Sequence, residues 1–257
     1  MKLNTLLIPA LSAAFAASAY AGAPAKAPAQ VQPPVVEEDT SLGFSLTAGY
    51  DTDYVYRGVR FAQNLVTVAV DGNIPFTDVL SLNVGAWFGT SADDSYVGTG
   101  DSYHELDLYA ALLADLGPVT VGLKYQYYLF EGDAGDVLDD INEVGVLISS
   151  TVGPVDVIGG AYYDESADGF YFEAGVSKTI EITDRISLVP AALVSYAIDY
   201  YGVDGFNHIK VSLAAPIKLT KTATLTPYIA GNIPIDALDD LGEEDRVYGG
   251  VSLSVSF

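Results

Sequence analysis

Apolar and polar side chains alternate with a period of two along most of this chain. The clearest stretch is residues 246–257, in which Val251, Leu253, Val255 and Phe257 share one face and serine side chains occupy much of the other. Successive side chains of a β-strand lie on opposite faces, so the pattern predicts a strand between an apolar environment and a wet one. Such a strand, ending on an apolar aromatic residue, favours an outer-membrane barrel over the edge strand of a soluble all-β domain.

The same alternation recurs in segments of about ten residues separated by turn residues, as in transmembrane barrels. An even number of strands brings both chain ends to one side, which we assign to the periplasm. The predicted fold is therefore all-β, a transmembrane antiparallel up-and-down β-barrel of about 12 strands with both ends periplasmic. The predicted strands are 41–52, 63–73, 79–90, 103–115, 118–130, 141–151, 154–164, 169–180, 186–198, 205–215, 222–234 and 246–257.

The predicted connections alternate between two kinds. Short turns with Pro, Gly or Asp, such as 75–78 and 152–154, are typical of the periplasmic side, and longer polar loops are typical of the external side. The predicted external loops are 53–62, 91–102, 131–140, 164–168, 199–205 and 235–245.

Charge follows the same division. Apart from the first loop, the external set contains nineteen acidic residues and no Lys or Arg, whereas the opposite turns carry Arg185, Lys218 and Lys221. Solvation of loops alone explains part of this pattern. The functional interpretation is that divalent cations bridge the acidic loops to lipopolysaccharide. The acids are Asp93, Asp94, Asp101, Glu131, Asp133, Asp136, Asp139, Asp140, Asp164, Glu165, Asp168, Asp199, Asp204, Asp236, Asp239, Asp240, Glu243, Glu244 and Asp245.

The first forty residues are predicted to lie outside the barrel. Residues 1–21 have a basic start, a short apolar run and a small-residue close, which indicate a signal peptide. Residues 22–40 are rich in Ala and Pro and indicate a stiff periplasmic spacer. We therefore predict export, cleavage after Ala21 and a single outer-membrane barrel over residues 41–257.

Composition excludes several classes of site. The net charge of −23 argues against nucleic-acid binding, because phosphate contacts need Lys and Arg. The absence of cysteine removes disulfides and thiolate metal sites, and we predict no cofactor. The 18 tyrosines against a single Trp fit aromatic girdles at the two membrane surfaces.

Residues 48–64 resemble the opening motif of the TorF-type putative porins, Tyr-x-Ser/Thr-Asp-Tyr-x-x-Arg-Gly. The resemblance implies an outer-membrane pore with no catalytic residues to transfer. The matching residues are Tyr50, Thr52, Asp53, Tyr54, Arg57 and Gly58.

Part of this motif is predicted to pin the first external loop. Asp53, Tyr54, Arg57 and Gly58 lie where the first strand bends into that loop, and Arg57 can pair there with Asp51 or Asp53. Contact with a ligand is the alternative role for Arg57.

Alternation also assigns a charged inner face, because a Lys or Arg facing lipid near the midplane costs about 2–4 kcal/mol. Bulky inward aromatic residues, including Trp87 and Tyr109, would narrow or plug a barrel of this size. The predicted pore-lining residues are Glu105, Asp107, Lys124, Glu143, Glu173, His208, Lys210 and Arg246.

Together these patterns predict a passive pore for small hydrophilic solutes with a preference for cations. A non-conducting structural or partner-binding barrel is the main alternative, followed by a lipid esterase using Ser102 and His104 at the rim. We expect no enzymatic activity. Expected partners are outer-membrane lipid, lipopolysaccharide, small solutes and the barrel-assembly machinery, for which Phe257 resembles the terminal assembly signal.

Overall fold

The computed structural model describes residues 43–93, 96, 102–132, 134–135, 138–200 and 202–257. The predicted signal peptide and spacer lie outside the described residues. The same holds for four of the predicted loop acids, Asp94, Asp101, Asp133 and Asp136.

Fourteen strands and one short helix make up the described fold. They are β1 (Phe44–Tyr56), β2 (Val59–Pro75), β3 (Leu80–Ser91), β4 (His104–Asp115), β5 (Val119–Glu131), β6 (Ile141–Val152), β7 (Val155–Asp164), β8 (Gly169–Ser177), β9 (Ile180–Glu181), β10 (Ser187–Tyr200), β11 (Val203–Ala214), β12 (Ile217–Lys218), β13 (Ala223–Pro234), α1 (Ala237–Asp240) and β14 (Arg246–Ser256). The two-residue strands β9 and β12 pair with the first residues of β10 and β13.

The twelve long strands form one closed antiparallel barrel. Each pairs with the next long strand in the chain, and β14 closes the ring by pairing with β1 from Ser45↔Ser256 to Asp51↔Gly250. Closure pairs the backbone groups of every long strand and leaves no free sheet edge. The predicted 12-stranded barrel is therefore confirmed, and the assignment of its ends to the periplasm stays a prediction.

The barrel has two distinct ends. One, which we call the turn end, holds both termini of the described barrel and tight turns; there Phe257 N–H donates to the carbonyl oxygen of Phe44 at 2.9 Å. The other, the loop end, holds the connections after β1, β3, β5, β7, β10 and β13. The helix α1 lies in the last of these connections.

Alternation along the strands separates an apolar outer wall from a polar lumen. In β4, Leu108 and Leu112 are exposed on the outside, whereas Asp107 and Tyr109 are buried inside. A membrane solvates the first set, and the lumen encloses the second. In the described part of the chain, no helix combines the length and hydrophobicity needed to cross a membrane.

The first loop differs most from the prediction. We expected ten loop residues, 53–62, but β1 and β2 continue until only Arg57 and Gly58 separate them. Both have positive φ, 47° and 92°, as the two central residues of a type I′ hairpin turn require. The alternation fails here because β1 is irregular between Tyr54 and Val55, and both of these side chains are buried.

Candidate functional site

The tip of the β1–β2 hairpin lies in the lumen of the barrel. The guanidinium of Arg57 forms a bidentate ion pair with Glu143 on β6, with N–O distances of 2.5 and 3.0 Å. It also donates to the Tyr200 hydroxyl on β10 at 2.6 Å. The side chains of Arg57 and Glu143 are only 7% and 1% exposed, so the pair is withdrawn from solvent.

This pairing corrects the predicted partner of Arg57. Its guanidinium pairs with Glu143 rather than with Asp51 or Asp53, and Asp53 instead lies 3.5 Å from Arg60. The positive φ of Arg57 turns its side chain inward, away from the acids on its own strand. The motif therefore connects the hairpin to a distant strand, which its spacing along the sequence does not reveal.

Four tyrosine rings surround the same guanidinium and form a cage. The Cζ atom of Arg57 lies between 4.3 and 5.3 Å from the ring centroids of Tyr56, Tyr162, Tyr171 and Tyr200. Cation–π attraction at these distances is strongest where water is excluded. The cage and the carboxylate of Glu143 together stabilise a charge that burial alone would disfavour.

Gly58 packs against another part of the lumen wall. A Cβ atom at this position would lie 2.4 Å from Leu238 Cδ1 and 2.8 Å from His208 Nδ1, so a side chain does not fit. The carbonyl oxygen of Gly58 accepts from Asn232 Nδ2 at 3.1 Å. The hairpin tip is thus held by β11, β13 and α1 as well as by the strands that contact Arg57.

An aromatic cluster packs on the other side of the hairpin. The Tyr54 and Trp87 rings stack with centroids 5.5 Å apart, and Tyr103 packs against Tyr54 at 5.6 Å. Burial against the same cluster raises the pKa of the Tyr96 hydroxyl. The residues of the aromatic cluster are Tyr54, Tyr56, Phe61, Trp87, Tyr96, Tyr103, Tyr128 and Phe130.

Tyrosine hydroxyls donate to several carboxylates of the lumen. Eleven of the 16 tyrosines that the structure describes are buried, and five of them donate to an inward acid. The aromatic-girdle prediction therefore does not account for most tyrosines. The pairs are Tyr103–Glu105 at 2.6 Å, Tyr109–Asp71 at 2.5 Å, Tyr128–Glu143 at 3.2 Å, Tyr162–Glu173 at 2.7 Å and Tyr228–Asp51 at 2.5 Å. The buried tyrosines are Tyr54, Tyr56, Tyr96, Tyr103, Tyr109, Tyr128, Tyr162, Tyr171, Tyr200, Tyr228 and Tyr248.

The residues predicted to line a pore occupy the inner face at different depths. Glu105, Asp107, Lys124, Glu143 and His208 are buried there. Three others are half-buried on that face, namely Glu173, Lys210 and Arg246. Asp107 accepts from Gln126 at 2.8 Å, and the Lys124 ammonium lies 5.9 Å from the Tyr109 and Tyr162 rings.

The two histidines make local hydrogen bonds. His208 Nδ1 lies 2.8 Å from Ser195 Oγ and 2.9 Å from Asn207 Oδ1. Both contacts use one ring nitrogen, whereas a nucleophile–base relay uses the second nitrogen for the orienting group. At the loop end, His104 Nδ1 lies 3.0 Å from Thr90 Oγ1. Among the described residues, no three His, Cys, Asp or Glu side chains are grouped as a metal site would require.

Some lumen residues were missed although the sequence contained a signal for them. Alternation places Asp51 and Asp71 inward, because Tyr50 and Val70 beside them face outward. Glycines give a second signal, since the Tyr162 ring occupies the space where Cβ atoms of Gly145 and Gly160 would lie. Contacts between distant strands, such as Arg57 with Glu143, had no comparable signal.

Several solved outer-membrane proteins have a similar fold. The COG4313 outer membrane channel from Pseudomonas putida F1 matches with a TM-score of 0.59 and 12% identity, covering 89% of this chain and 100% of that chain. The KdgM porin matches with a TM-score of 0.52 and 6% identity, covering 83% of this chain and 99% of that chain. These similarities show the fold alone, an antiparallel barrel like those of the matched outer-membrane proteins. No curated protein matches the chain.

One comparison corrects the expectation that the chain has no enzymatic activity. LpxR from Salmonella typhimurium, an outer-membrane lipid A deacylase, is among the matched barrels, with a TM-score of 0.49 and 10% identity over 83% of this chain and 100% of that chain. The expectation of no enzymatic activity, which rested on the opening motif and the scarcity of histidine, is therefore withdrawn.

The family is shown by sequence. A family model described as "Bacterial protein of unknown function (Gcw_chp)" matches residues 36–198, which include the first hairpin and more than half of the chain. The TorF-type name suggested by that hairpin is not confirmed. The chain belongs to the Gcw_chp family of bacterial proteins of unknown function.

Proposed function

We propose that this barrel is a narrow outer-membrane pore for small hydrophilic solutes. The sorting of side chains supports this function, because charged and polar groups fill the lumen while the outer wall is apolar. A barrel interior that carries ionised groups favours water and dissolved ions over lipid.

We further propose that the pore prefers cations. The lumen contains more acids than predicted, since Asp51, Asp71 and Asp164 join the four inward acids, whereas Arg57 is the added strong base. Acidic residues also crowd the loop end. A negative potential over the mouth concentrates cations and repels anions.

Reconstitution into planar bilayers tests both statements. We expect discrete conductance steps and, across a KCl gradient, a reversal potential of cationic sign. The potential should shrink as salt rises, since exposed charges are screened over roughly 8 Å at physiological ionic strength. An anionic reversal potential at low salt would contradict the cation preference while leaving the pore intact.

A non-conducting structural barrel is the second candidate. The observation that favours it is the hairpin tip, which lies across the lumen with Arg57 paired to Glu143. A structural barrel gives a stable membrane protein with no conductance steps at any voltage, so the same bilayer experiment separates the two functions.

The orientation is also a proposal: the turn end faces the periplasm and the acidic loop end faces outward, near lipopolysaccharide. An epitope tag within 239–244 should react with antibody on intact cells, and a tag within 152–154 should not. Reaction of the second tag alone would reverse the orientation. A chelator of divalent cations tests the proposed bridge to lipopolysaccharide, because removal of the cations should release the contacts of the acidic loops.

A further inference from the structure

The β1–β2 hairpin reaches across the barrel rather than continuing its own wall. In the strand order, β1 lies six strands from β7, yet the guanidinium of Arg57 contacts Tyr162 on β7 as well as Glu143 on β6 and Tyr171 on β8. A segment that leaves one wall and binds the opposite wall divides the lumen at that level.

Few directed polar contacts join the tip and the adjoining Tyr56 to strands other than β1 and β2. These are the Arg57–Glu143 ion pair, the hydrogen bond from Arg57 to Tyr200, the hydrogen bond between the Tyr56 and Tyr128 hydroxyls, and the hydrogen bond from Asn232 on β13 to the Gly58 carbonyl. Only the first is charged on both sides, and it is bidentate, which makes it the strongest of these contacts. The Glu143 carboxylate therefore makes the largest single polar contribution to the position of the tip.

The positive φ of Arg57 belongs to the hairpin turn itself. Arg57 adopts a φ of 47° and Gly58 a φ of 92°, as the two central residues of a type I′ turn require. The turn keeps this geometry whether or not Arg57 is paired with Glu143, so the tip can be treated as one unit.

The base of the hairpin contains an irregularity on each strand. On β1 the pairing register shifts between Tyr54 and Val55. On β2, Asn64 has a φ of 50° within the strand. Backbone irregularities of this kind are where hinge motions concentrate their changes in φ and ψ. These two positions therefore mark where a moving hairpin would bend.

We propose that this hairpin is the gate of the pore and that Arg57–Glu143 is its latch. The inference rests on the proposed pore function. With the latch closed, the tip, the tyrosine cage and Leu238 of α1 occupy the lumen together. With the latch broken, the hairpin swings toward the loop end and the Arg57 guanidinium, which stays charged, is solvated by water in the lumen.

Buried and exposed charge should then act on the pore in different ways. The latch is withdrawn from solvent, and buried pairs are screened much less than surface charges. Opening of the gate is therefore nearly independent of salt, whereas selectivity from the acidic loops weakens as salt rises.

Glu143→Gln tests the latch with little change in volume. Its matched control is Glu173→Gln, which removes the same charge from the lumen but from a residue hydrogen-bonded to Tyr162 rather than paired with Arg57. We expect about a tenfold rise in open probability for Glu143→Gln, the effect of weakening one charge-assisted contact, and less than about twofold for Glu173→Gln. Equal open probability in the wild type and Glu143→Gln would overturn the gate.

Arg57→Lys is the second variant if Glu143→Gln fails to fold. Lysine keeps the charge but loses the planar fork that binds both carboxylate oxygens. An open probability between those of the wild type and Glu143→Gln is expected, and no change from the wild type would overturn the latch. Retarded migration on heating in SDS identifies the samples that had folded into closed barrels.

A labelling measurement makes the gate testable without conduction. The chain contains no cysteine, so Val59→Cys, directly after the tip residues Arg57 and Gly58, gives one unique thiol. Its rate of reaction with a maleimide should rise about tenfold when Glu143→Gln is added, because the rate follows thiol access, and should not rise with Glu173→Gln.

The two readouts separate failure of the gate from failure of the pore. Steady conductance and equal labelling in all proteins would overturn the gate and leave the pore. Absence of conductance in every protein, including the variants that label faster, would overturn the pore function and the gate with it.

Discussion

The outer wall and the lumen of this barrel follow different physical rules. On the wall, residues such as Leu108, Leu123 and Val146 are exposed and need only to be apolar, because lipid solvates any of them. In the lumen, Arg57, Glu143 and Glu105 are buried and each depends on a specific partner. The wall therefore accepts any apolar residue and disfavours a charged one. The lumen accepts a charged residue when its partner is present and is destabilised when that partner is lost.

The largest expected effect comes from breaking one lumen pair. Arg57→Met leaves the Glu143 carboxylate buried without its cation, and loss of one member of such a pair destabilises by about 3–5 kcal/mol. Urea unfolding of the refolded barrel in lipid vesicles measures the change. The double variant Arg57→Met with Glu143→Leu should recover most of the stability, and equal stability of the single variant and the wild type would show that the pair is not buried.

A charge on the wall should have a slightly smaller effect. Leu108→Arg places a guanidinium against lipid near the middle of β4, at a cost of about 2–4 kcal/mol. Leu116→Arg is the matched control, since Leu116 lies in the turn after β4 and the cost near the interface falls to about 0–1 kcal/mol. If the two variants unfold at the same urea concentration, Leu108 does not face lipid.

Tyrosines on the two faces give a finer comparison. Tyr228→Phe removes the donor to buried Asp51 and should cost about 1.5–3 kcal/mol, the value for hydrogen bonds to charged groups. Tyr50→Phe removes an exposed hydrogen bond to Asn64 and should lower the free energy of unfolding by no more than about 0.5 kcal/mol. A larger loss for Tyr50→Phe than for Tyr228→Phe in the same unfolding assay would contradict the assignment of the two faces.

The smallest expected effect on folded-state stability is at Phe257. Its side chain is exposed at the turn end, so Phe257→Ser should change the free energy of unfolding by about 0.5 kcal/mol or less. We predict instead a lower amount of barrel in the outer membrane, because the terminal aromatic residue is proposed to be read during assembly. Quantification of the heat-modifiable form in membranes measures this amount, and an unchanged level would make Phe257 incidental.

Most strand positions were predictable because alternation acts locally. The predicted segment 118–130 agrees with Val119–Glu131 within one residue at each end, and 141–151 agrees with Ile141–Val152. One face of each strand in the barrel wall contacts lipid, so every second residue of the strand must be apolar. Alternation is lost at residues 53–62, where neither face of the hairpin is exposed and no lipid face constrains the pattern.

The partners of the inward residues were not predictable in the same way. Glu143 was assigned to the inner face, but nothing in its neighbourhood along the chain indicated Arg57, 86 positions away. Likewise Asp51 meets Tyr228 across 177 positions. Both contacts depend on the closure of the ring, which brings strands that are distant in the sequence together around one lumen.

The sequence by itself determined the closed antiparallel barrel, the apolar wall and the charged inner face. Each side chain is selected by whether it faces lipid or water, and this selection gives the sequence a period of two along every strand. The tertiary structure alone decided which inner residues meet and that the β1–β2 hairpin lies across the lumen. A buried charge is stabilised only by a partner at the correct distance and orientation, and the folded ring, rather than the order of residues, sets both.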